Sequence, residues 1–235
     1  MAEIKEYNHE RPGGQPSNDW AAYASTVKRH PLRKPVALKQ TLTEITGPVF
    51  TNGWTGPQTT DLTKQHKAEP IGERMILAGR ILDEDGKPVP HTLVEIWQAN
   101  SAGRYVHPGD SHPAPLDPNF TGRGDIVTND KGEFRFLSVI PGAYPWRNTY
   151  NAWRAKHVHF SVFGPAFATR IITQMYFPGD PLLALDPIFQ VIPDEAARNR
   201  LVAAFDLGIT KPEWALGYRF DVVLRGRGAT PMETP

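Results

Sequence analysis

The 235-residue sequence contains no cysteine, which excludes disulfides, thiolate metal sites and cysteine nucleophiles together. Any metal must be held by nitrogen and oxygen donors. Neither sign of charge is in excess, with 26 basic against 25 acidic residues, so no strong field recruits nucleic acid or an anionic membrane. A small anion could still meet a local arginine. No apolar run approaches the roughly 18 residues of a spanning helix. The start, Met1-Ala-Glu-Ile-Lys-Glu-Tyr, lacks an apolar stretch behind a basic segment, and a soluble, cytoplasmic chain is expected. Glycine-rich phosphate loops and Gly-x-Ser-x-Gly are also missing, which removes the usual signs of nucleotide-binding and serine-hydrolase chemistry.

Proline is plentiful instead, at 23 residues, and its exclusion from central strands assigns it to loops. Residues 1–68 are rich in Pro, Gly, Asn and Thr, with scattered aromatics at Tyr7, Trp20, Tyr23, Phe50 and Trp54. We read them as an extended N-terminal arm that packs on its own core and on a partner subunit. A short helix is expected near Leu38–Ile45, where Glu44 follows a capping Thr41 by one turn. From residue 69 onward, short β-branched stretches alternate with turn residues. Strands are expected at Met75–Leu82, followed by an Asp-Gly turn, then at Thr92–Gln98, Glu133–Val139, Lys156–Phe163, Arg170–Phe177 and Tyr218–Leu224. Asp194–Phe205 carries the one clear stripe of helical period. The unit 69–235 should therefore be mainly all-β, an antiparallel sandwich or barrel with long loops and few short helices.

Within it, His157-Val158-His159 puts two imidazoles on one side of a strand, because residues i and i+2 share a face. The pair alone is weak evidence, since chance supplies one about a quarter of the time at this histidine content. Tyr144 follows Pro141-Gly-Ala and precedes Pro145, so its backbone is biased to extended geometry and its phenol can be aimed. Tyr105 sits just beyond the strand ending in Trp97-Gln98, again at a strand-to-loop junction. Taken singly, such tyrosines and histidines are most often hydrogen-bonded core residues. Two imidazoles and a nearby phenol together suit a hard, oxidised metal better than zinc. Three further signals carry less: Arg123-Gly-Asp125 reads as a turn, Arg225-Gly-Arg-Gly228 as a basic tail, and His107 and His112 as solvated loop residues.

Six segments, in order along the chain, resemble those of the intradiol ring-cleaving dioxygenases. They are Glu95-Ile-Trp-Gln-Ala-Asn-Ser-Ala-Gly-Arg-Tyr105, Leu116-Asp-Pro-Asn-Phe120, Pro141-Gly-Ala-Tyr-Pro-Trp-Arg147, Trp153-Arg-Ala-Lys-His-Val-His-Phe160, Ile172-Thr-Gln-Met-Tyr-Phe177 and Tyr218-Arg-Phe-Asp-Val-Val-Leu-Arg225. Within the family the likeness is to the β subunits of the branch that cleaves protocatechuate. It implies a catalytic β-sandwich with a non-haem Fe(III) ion held by Tyr105, Tyr144, His157 and His159. It further implies Tyr144 as a displaceable ligand and base, Arg154 stabilising charge on the substrate ring, and Trp146, Gln174, Arg154 and Tyr23 at the substrate. The implied reaction cleaves the bond between the two hydroxylated carbons of 3,4-dihydroxybenzoate, with both atoms of O2 entering the product, to give 3-carboxy-cis,cis-muconate in the β-ketoadipate route of aromatic degradation. The implied partner is a homologous α subunit in a hetero-oligomer of αβ units. Two departures bear on specificity: Ala155-Lys156 stands where the family commonly has Pro-Ala, and loop 106–115 differs. An intradiol enzyme for catechol or hydroxyquinol is the near alternative. A noncatalytic prealbumin-like binding module is the distant one.

Overall fold

The computed structural model describes residues 57–148, 150–163 and 170–233, together with Gln15, Pro16, Trp20, Ala22 and Arg33. Tyr23, the helix expected over Leu38–Ile45 and most of the arm lie outside these residues. Among the described residues, no helix is long and apolar enough to cross a membrane.

Two sheets face one another. In the first, β1 (Arg74–Leu82) is the spine. On one side β4 (Glu133–Val139) runs antiparallel, from Arg74↔Val139 to Arg80↔Glu133. Along the other side β10 (Leu216–Arg219) and β11 (Val222–Val223) run parallel to it, in one register. The short β9 (Ala204–Phe205) pairs with β10. The second sheet is wholly antiparallel, in the order β3 (Arg123–Val127), β2 (Leu93–Trp97), β7 (His157–Phe163), β8 (Arg170–Tyr176). Its inward residues, Val94, Ile96, Val158, Phe160, Val162, Ile171 and Met175, join Met75, Leu77, Ile81, Phe134 and Phe136 of the first sheet in one buried core. The ring of Phe160 lies 5.7 Å from that of Phe134 and 5.2 Å from that of Phe220. The sandwich expected from the pattern of short strands is the fold observed.

This burial sets the register of β7. Val158, Phe160 and Val162 are fully inside, each such side chain contributing about 1.5–3 kcal/mol by leaving water. A slip of one residue would expel all three and drive His157 and His159 into the core. The alternation therefore delivers both imidazoles to the outer face.

Four local expectations are corrected. The sandwich is not purely antiparallel, because β10 and β11 pair with β1 in parallel. The strand expected over Tyr218–Leu224 breaks at Phe220-Asp221, where the Asp221 carboxylate accepts from the Arg80 backbone N–H at 2.9 Å and ion-pairs with its guanidinium at 3.1 Å. The helix expected over Asp194–Phe205 is only Glu195–Asn199 (α2), capped by Asp194. Beyond it the chain leaves to pair with the end of β8, Tyr176 donating to Leu201 and Ala203 to Tyr176, so sheet pairing wins over helix propensity. Arg123-Gly-Asp125 is not a turn but the start of β3. Gly124 is needed there because Thr59 crosses: a Cβ would lie 2.6 Å from the Thr59 carbonyl oxygen, and Thr59 and Asp125 exchange backbone hydrogen bonds of 3.1 Å. The Asp-Gly turn after β1 forms as expected, with the Asp83 carboxylate accepting from the N–H groups of Asp85 and Lys87.

Candidate active site

The outer face of the second sheet carries a row of side chains across three strands. Trp97 of β2 pairs with His159 of β7, which pairs with Gln174 of β8, and one step along His157 pairs with Tyr176. Trp97 stacks flat on His159, with ring centroids 4.8 Å apart and planes 5° from parallel. Over this face fold two loops and the helix α1 (Pro187–Gln190), the latter packing with Ile188 and Phe189 against Tyr176 and Ala155.

Tyr105 and Tyr144 come from the two loops. Asn100 shapes the first: its side-chain oxygen accepts from the N–H groups of Ala102 and Arg104 at 3.0 and 2.9 Å. Gly103, at φ 80°, passes so close to the Ala143 carbonyl that no Cβ fits between the loops. The Tyr105 N–H then donates to Asp110 at 2.8 Å. Tyr144 lies in a two-residue ribbon, β5 (Tyr144–Pro145) against β6 (Trp153–Arg154), directly opposite Arg154. The extended geometry that Pro145 imposes is what permits this pairing.

The four candidate ligands are thus brought together. The Tyr105 hydroxyl lies 3.2 Å from Nε2 of both His157 and His159. The two imidazole centroids are 4.8 Å apart, and the Tyr144 ring is 5.7 Å from those of Tyr105 and His157. His157 donates from Nδ1 to the Ala155 carbonyl at 2.6 Å, which leaves Nε2 with a free lone pair facing the phenol. Among the described residues no three His, Asp or Glu side chains form a metal-holding group. A cation here would depend on the phenols, and a set of two phenolates and two imidazoles fits a hard trivalent ion.

Burial governs the protons. It pushes the Tyr105 phenol well above its ordinary range and raises that of Tyr144, so without a cation both stay neutral. It also pushes His157 well below the usual imidazole value, helped by Arg154 and His159, and lowers His159. Glu233, which faces His159, would be raised by burial, but contact with His159, then Gln174 and Arg154, brings it down to about 2.

A pH dependence follows. The folded pKa of His157 is below its unfolded value, so the unfolded chain binds the extra proton, and stability present above pH about 6.5 is lost as pH falls. The slope is up to about 1.4 kcal/mol per pH unit for such a group. Glu233 acts in the same direction lower down, its contribution present above 4.5 and lost as pH falls toward about 2. Urea unfolding of the metal-free chain should show a midpoint that drops between pH about 7.5 and about 5.5. A flat midpoint would contradict neutral buried imidazoles.

Arg154 is buried and doubly held. Its Nε donates to both oxygens of Asp186, at 3.1 and 3.3 Å, and its terminal nitrogen to Gln174. Gln174 accepts the Tyr176 hydroxyl as well, at 3.0 Å. The guanidinium carbon lies 5.3 Å from the centre of the Trp146 ring, within cation–π range. Tyr105, Tyr144, Trp146, Arg154 and His159 open on one cleft of about 1240 Å³, with His107, His112, Arg123 and Arg147 also lining it. His107 and His112 therefore border the cleft rather than standing apart from it. Lys156 is exposed and only its backbone N–H is engaged, by Asp180 at 3.0 Å.

Sequence reasoning placed Trp97 at the end of a strand but gave it no part in the site, and it missed Asn100, Asp110, Tyr176, Asp186 and Glu233. Only Asp186 had a readable signal: Asp followed by Pro187 marks a helix start, and its carboxylate accepts from the N–H groups of Ile188 and Phe189.

The profile of the family described as Dioxygenase matches residues 45–226, and that described as Protocatechuate 3,4-dioxygenase beta subunit N terminal matches residues 7–41. The chain is 58% identical over 213 residues to the protocatechuate 3,4-dioxygenase beta chain of Burkholderia cepacia, covering 90% of each. It is 30% identical over 209 residues to the alpha chain from the same organism, covering 82% of this chain and 96% of that one. Among solved structures, catechol 1,2-dioxygenase from Acinetobacter sp. ADP1 superposes with a TM-score of 0.51 at 27% identity, over 72% of this chain and 58% of that one. The chain is an oxidoreductase of the dioxygenase class and belongs to the intradiol ring-cleaving dioxygenases, in the group of the protocatechuate 3,4-dioxygenase beta chain.

Proposed function

We propose that the chain cleaves protocatechuate between its two hydroxylated carbons, using O2 and a non-haem Fe(III) ion, to give 3-carboxy-cis,cis-muconate in the β-ketoadipate route. The observation that carries the reading is the convergence of Tyr105, Tyr144, His157 and His159 beneath a cleft that also presents a fixed guanidinium. These four residues would hold the ion. Iron(III), when bound, acidifies coordinated phenols and draws electron density from a chelated ring, making the ring carbon open to O2.

The chain's own residues do the rest. Trp146 provides an aromatic wall for a flat substrate. Arg154 cannot give up its proton, and Asp186 and Gln174 hold it in place, so its charge is preorganised for negative charge developing on the ring. Tyr144, half-buried at the cleft, is placed to take a proton from an incoming substrate hydroxyl. Gln174, buried below, orients Arg154 rather than meeting solvent. Arg147, which lines the cleft, would favour a substrate with a carboxylate over plain catechol; Arg123 lines it too but is paired with Glu95 at 3.3 Å. Tyr23 is retained as a proposed substrate contact from the resemblance alone. The similarity of the chain to both an alpha and a beta chain supports an αβ hetero-oligomer.

The chain, purified with its α partner from iron-replete cells, should be red-brown from phenolate-to-iron charge transfer. Protocatechuate added without oxygen should shift the band, and turnover of protocatechuate should exceed that of catechol. A colourless, iron-free protein would refute the reading; preference for catechol would overturn the substrate alone.

A further inference from the structure

The two histidines of the site are held in different ways. His157 fixes its ring through Nδ1 on the Ala155 carbonyl at 2.6 Å. Among the described residues His159 has no such backbone acceptor: its Nδ1 is buried with no hydrogen-bond partner there, and the group facing it is the Glu233 carboxylate, 3.6 Å away. A ring that gives Nε2 to a cation must carry its proton on Nδ1, and that proton needs an acceptor. Closing the gap to a charge-assisted hydrogen bond requires a movement of about 0.7–0.9 Å.

Glu233 is brought there by a tail that is fastened along its length. Arg200 donates to the Ala229 carbonyl at 2.9 Å. Thr230 exchanges two hydrogen bonds of 2.9 Å with the backbone of Val223. Thr173 of β8 donates its hydroxyl proton to the Pro231 carbonyl at 2.6 Å, and the Glu233 N–H donates to Ile172 at 2.7 Å. From the N-terminal arm, Gln15 accepts from the Met232 N–H at 2.9 Å and donates to the Thr230 carbonyl at 3.4 Å. The tail thus covers the outer edge of β8 and turns one carboxylate, that of Glu233, into the site. A segment with so many ties places the Glu233 side chain reproducibly.

We propose that Glu233 is a positioning residue for His159: its carboxylate accepts a hydrogen bond from Nδ1–H and holds the ring with Nε2 turned toward Tyr105. The assignment rests on the iron site proposed above. It makes the chain's C-terminal segment a functional part of that site, and through Gln15 it ties the arm to the same place.

The test uses the full chain in the assembly the wild type forms, carrying Glu233→Ala or Glu233→Gln. Iron retention is measured in competition with an iron(III) chelator, alongside thermal unfolding of the metal-free forms. Glu233→Ala is expected to hold iron about 10–100-fold more weakly than wild type. Glu233→Gln, whose amide oxygen can still accept a hydrogen bond from Nδ1–H, should recover most of that loss, and all three metal-free forms should melt within about 2 °C of each other. Retention by Glu233→Ala equal to wild type would overturn the proposal. So would equal iron loss in both variants accompanied by a matching fall in metal-free melting temperature, which would reduce Glu233 to a tail anchor. A wild type without iron overturns both this and the functional reading, whereas an iron-loaded wild type with unaffected variants overturns this one alone.

Discussion

Replacing His157 by alanine is expected to yield a chain that folds, keeps no iron and does not cleave protocatechuate. His157 is only 1% exposed and sits directly under the Tyr105 hydroxyl. Loss of a partner outside the ligand set already weakens metal binding by about 10–100-fold. Removing a donor itself should exceed the upper end of that range, or more than about 2.7 kcal/mol. Tyr105→Phe should match it, since one phenol oxygen faces both imidazoles. Tyr144→Phe should retain more iron and instead slow substrate binding, because Tyr144 stands at the cleft on a short ribbon. Iron content, the visible band and stopped-flow substrate binding check all three. Equal iron loss in every variant would remove the displaceable role from Tyr144.

Asp186→Ala should be the most damaging single change to the fold. The carboxylate is fully buried and has four kinds of partner: the Arg154 guanidinium, the Ala155 N–H, and the Ile188 and Phe189 N–H groups that open α1. Breaking a buried ion pair by deleting one member strands the other charge, at a cost of about 3–5 kcal/mol. For a chain of this size that is a fall of roughly 6–20 °C in melting temperature. Asp186→Asn keeps a hydrogen-bond acceptor for the backbone groups and should lose less. A melting temperature for Asp186→Ala within about 2 °C of wild type would show that Arg154 finds another counter-charge. Turnover should fall with either variant, since Arg154 would no longer be held toward Trp146.

The parts of the site legible in the sequence are those set by short-range geometry. His157 and His159 share a face because a strand has period two, and Tyr144 is extended because Pro145 follows it. Their shared destination came from the ordered likeness of six segments, not from local spacing. What stayed hidden depends on long-range routing. Glu233 reaches His159 only because the tail runs back along β8, and nothing in Pro231-Met-Glu says so. Gly124 reads as part of a turn until Thr59 is known to cross it. The stripe from Asp194 to Phe205 is a fair helix by itself, but Tyr176 offers Leu201 and Ala203 sheet hydrogen bonds that the helix cannot match. Trp97 was legible only as the end of a strand, and its stacking on His159 requires knowing that β2 and β7 are neighbours.

The parallel pairing of β1 with β10 and β11 has a consequence for biosynthesis. Arg80 and the Asp221 that answers it are 141 residues apart in sequence. A ribosome making about 5–20 residues per second finishes β1 some 7–28 seconds before its second neighbour emerges. During that interval β4 can pair with one edge of β1 while its other edge, long and apolar, waits unpaired. The first sheet is therefore completed last, after the strands that carry the histidine face, β2, β7 and β8, have already been made. A chaperone that shields the waiting edge of β1 should therefore raise the yield of folded protein.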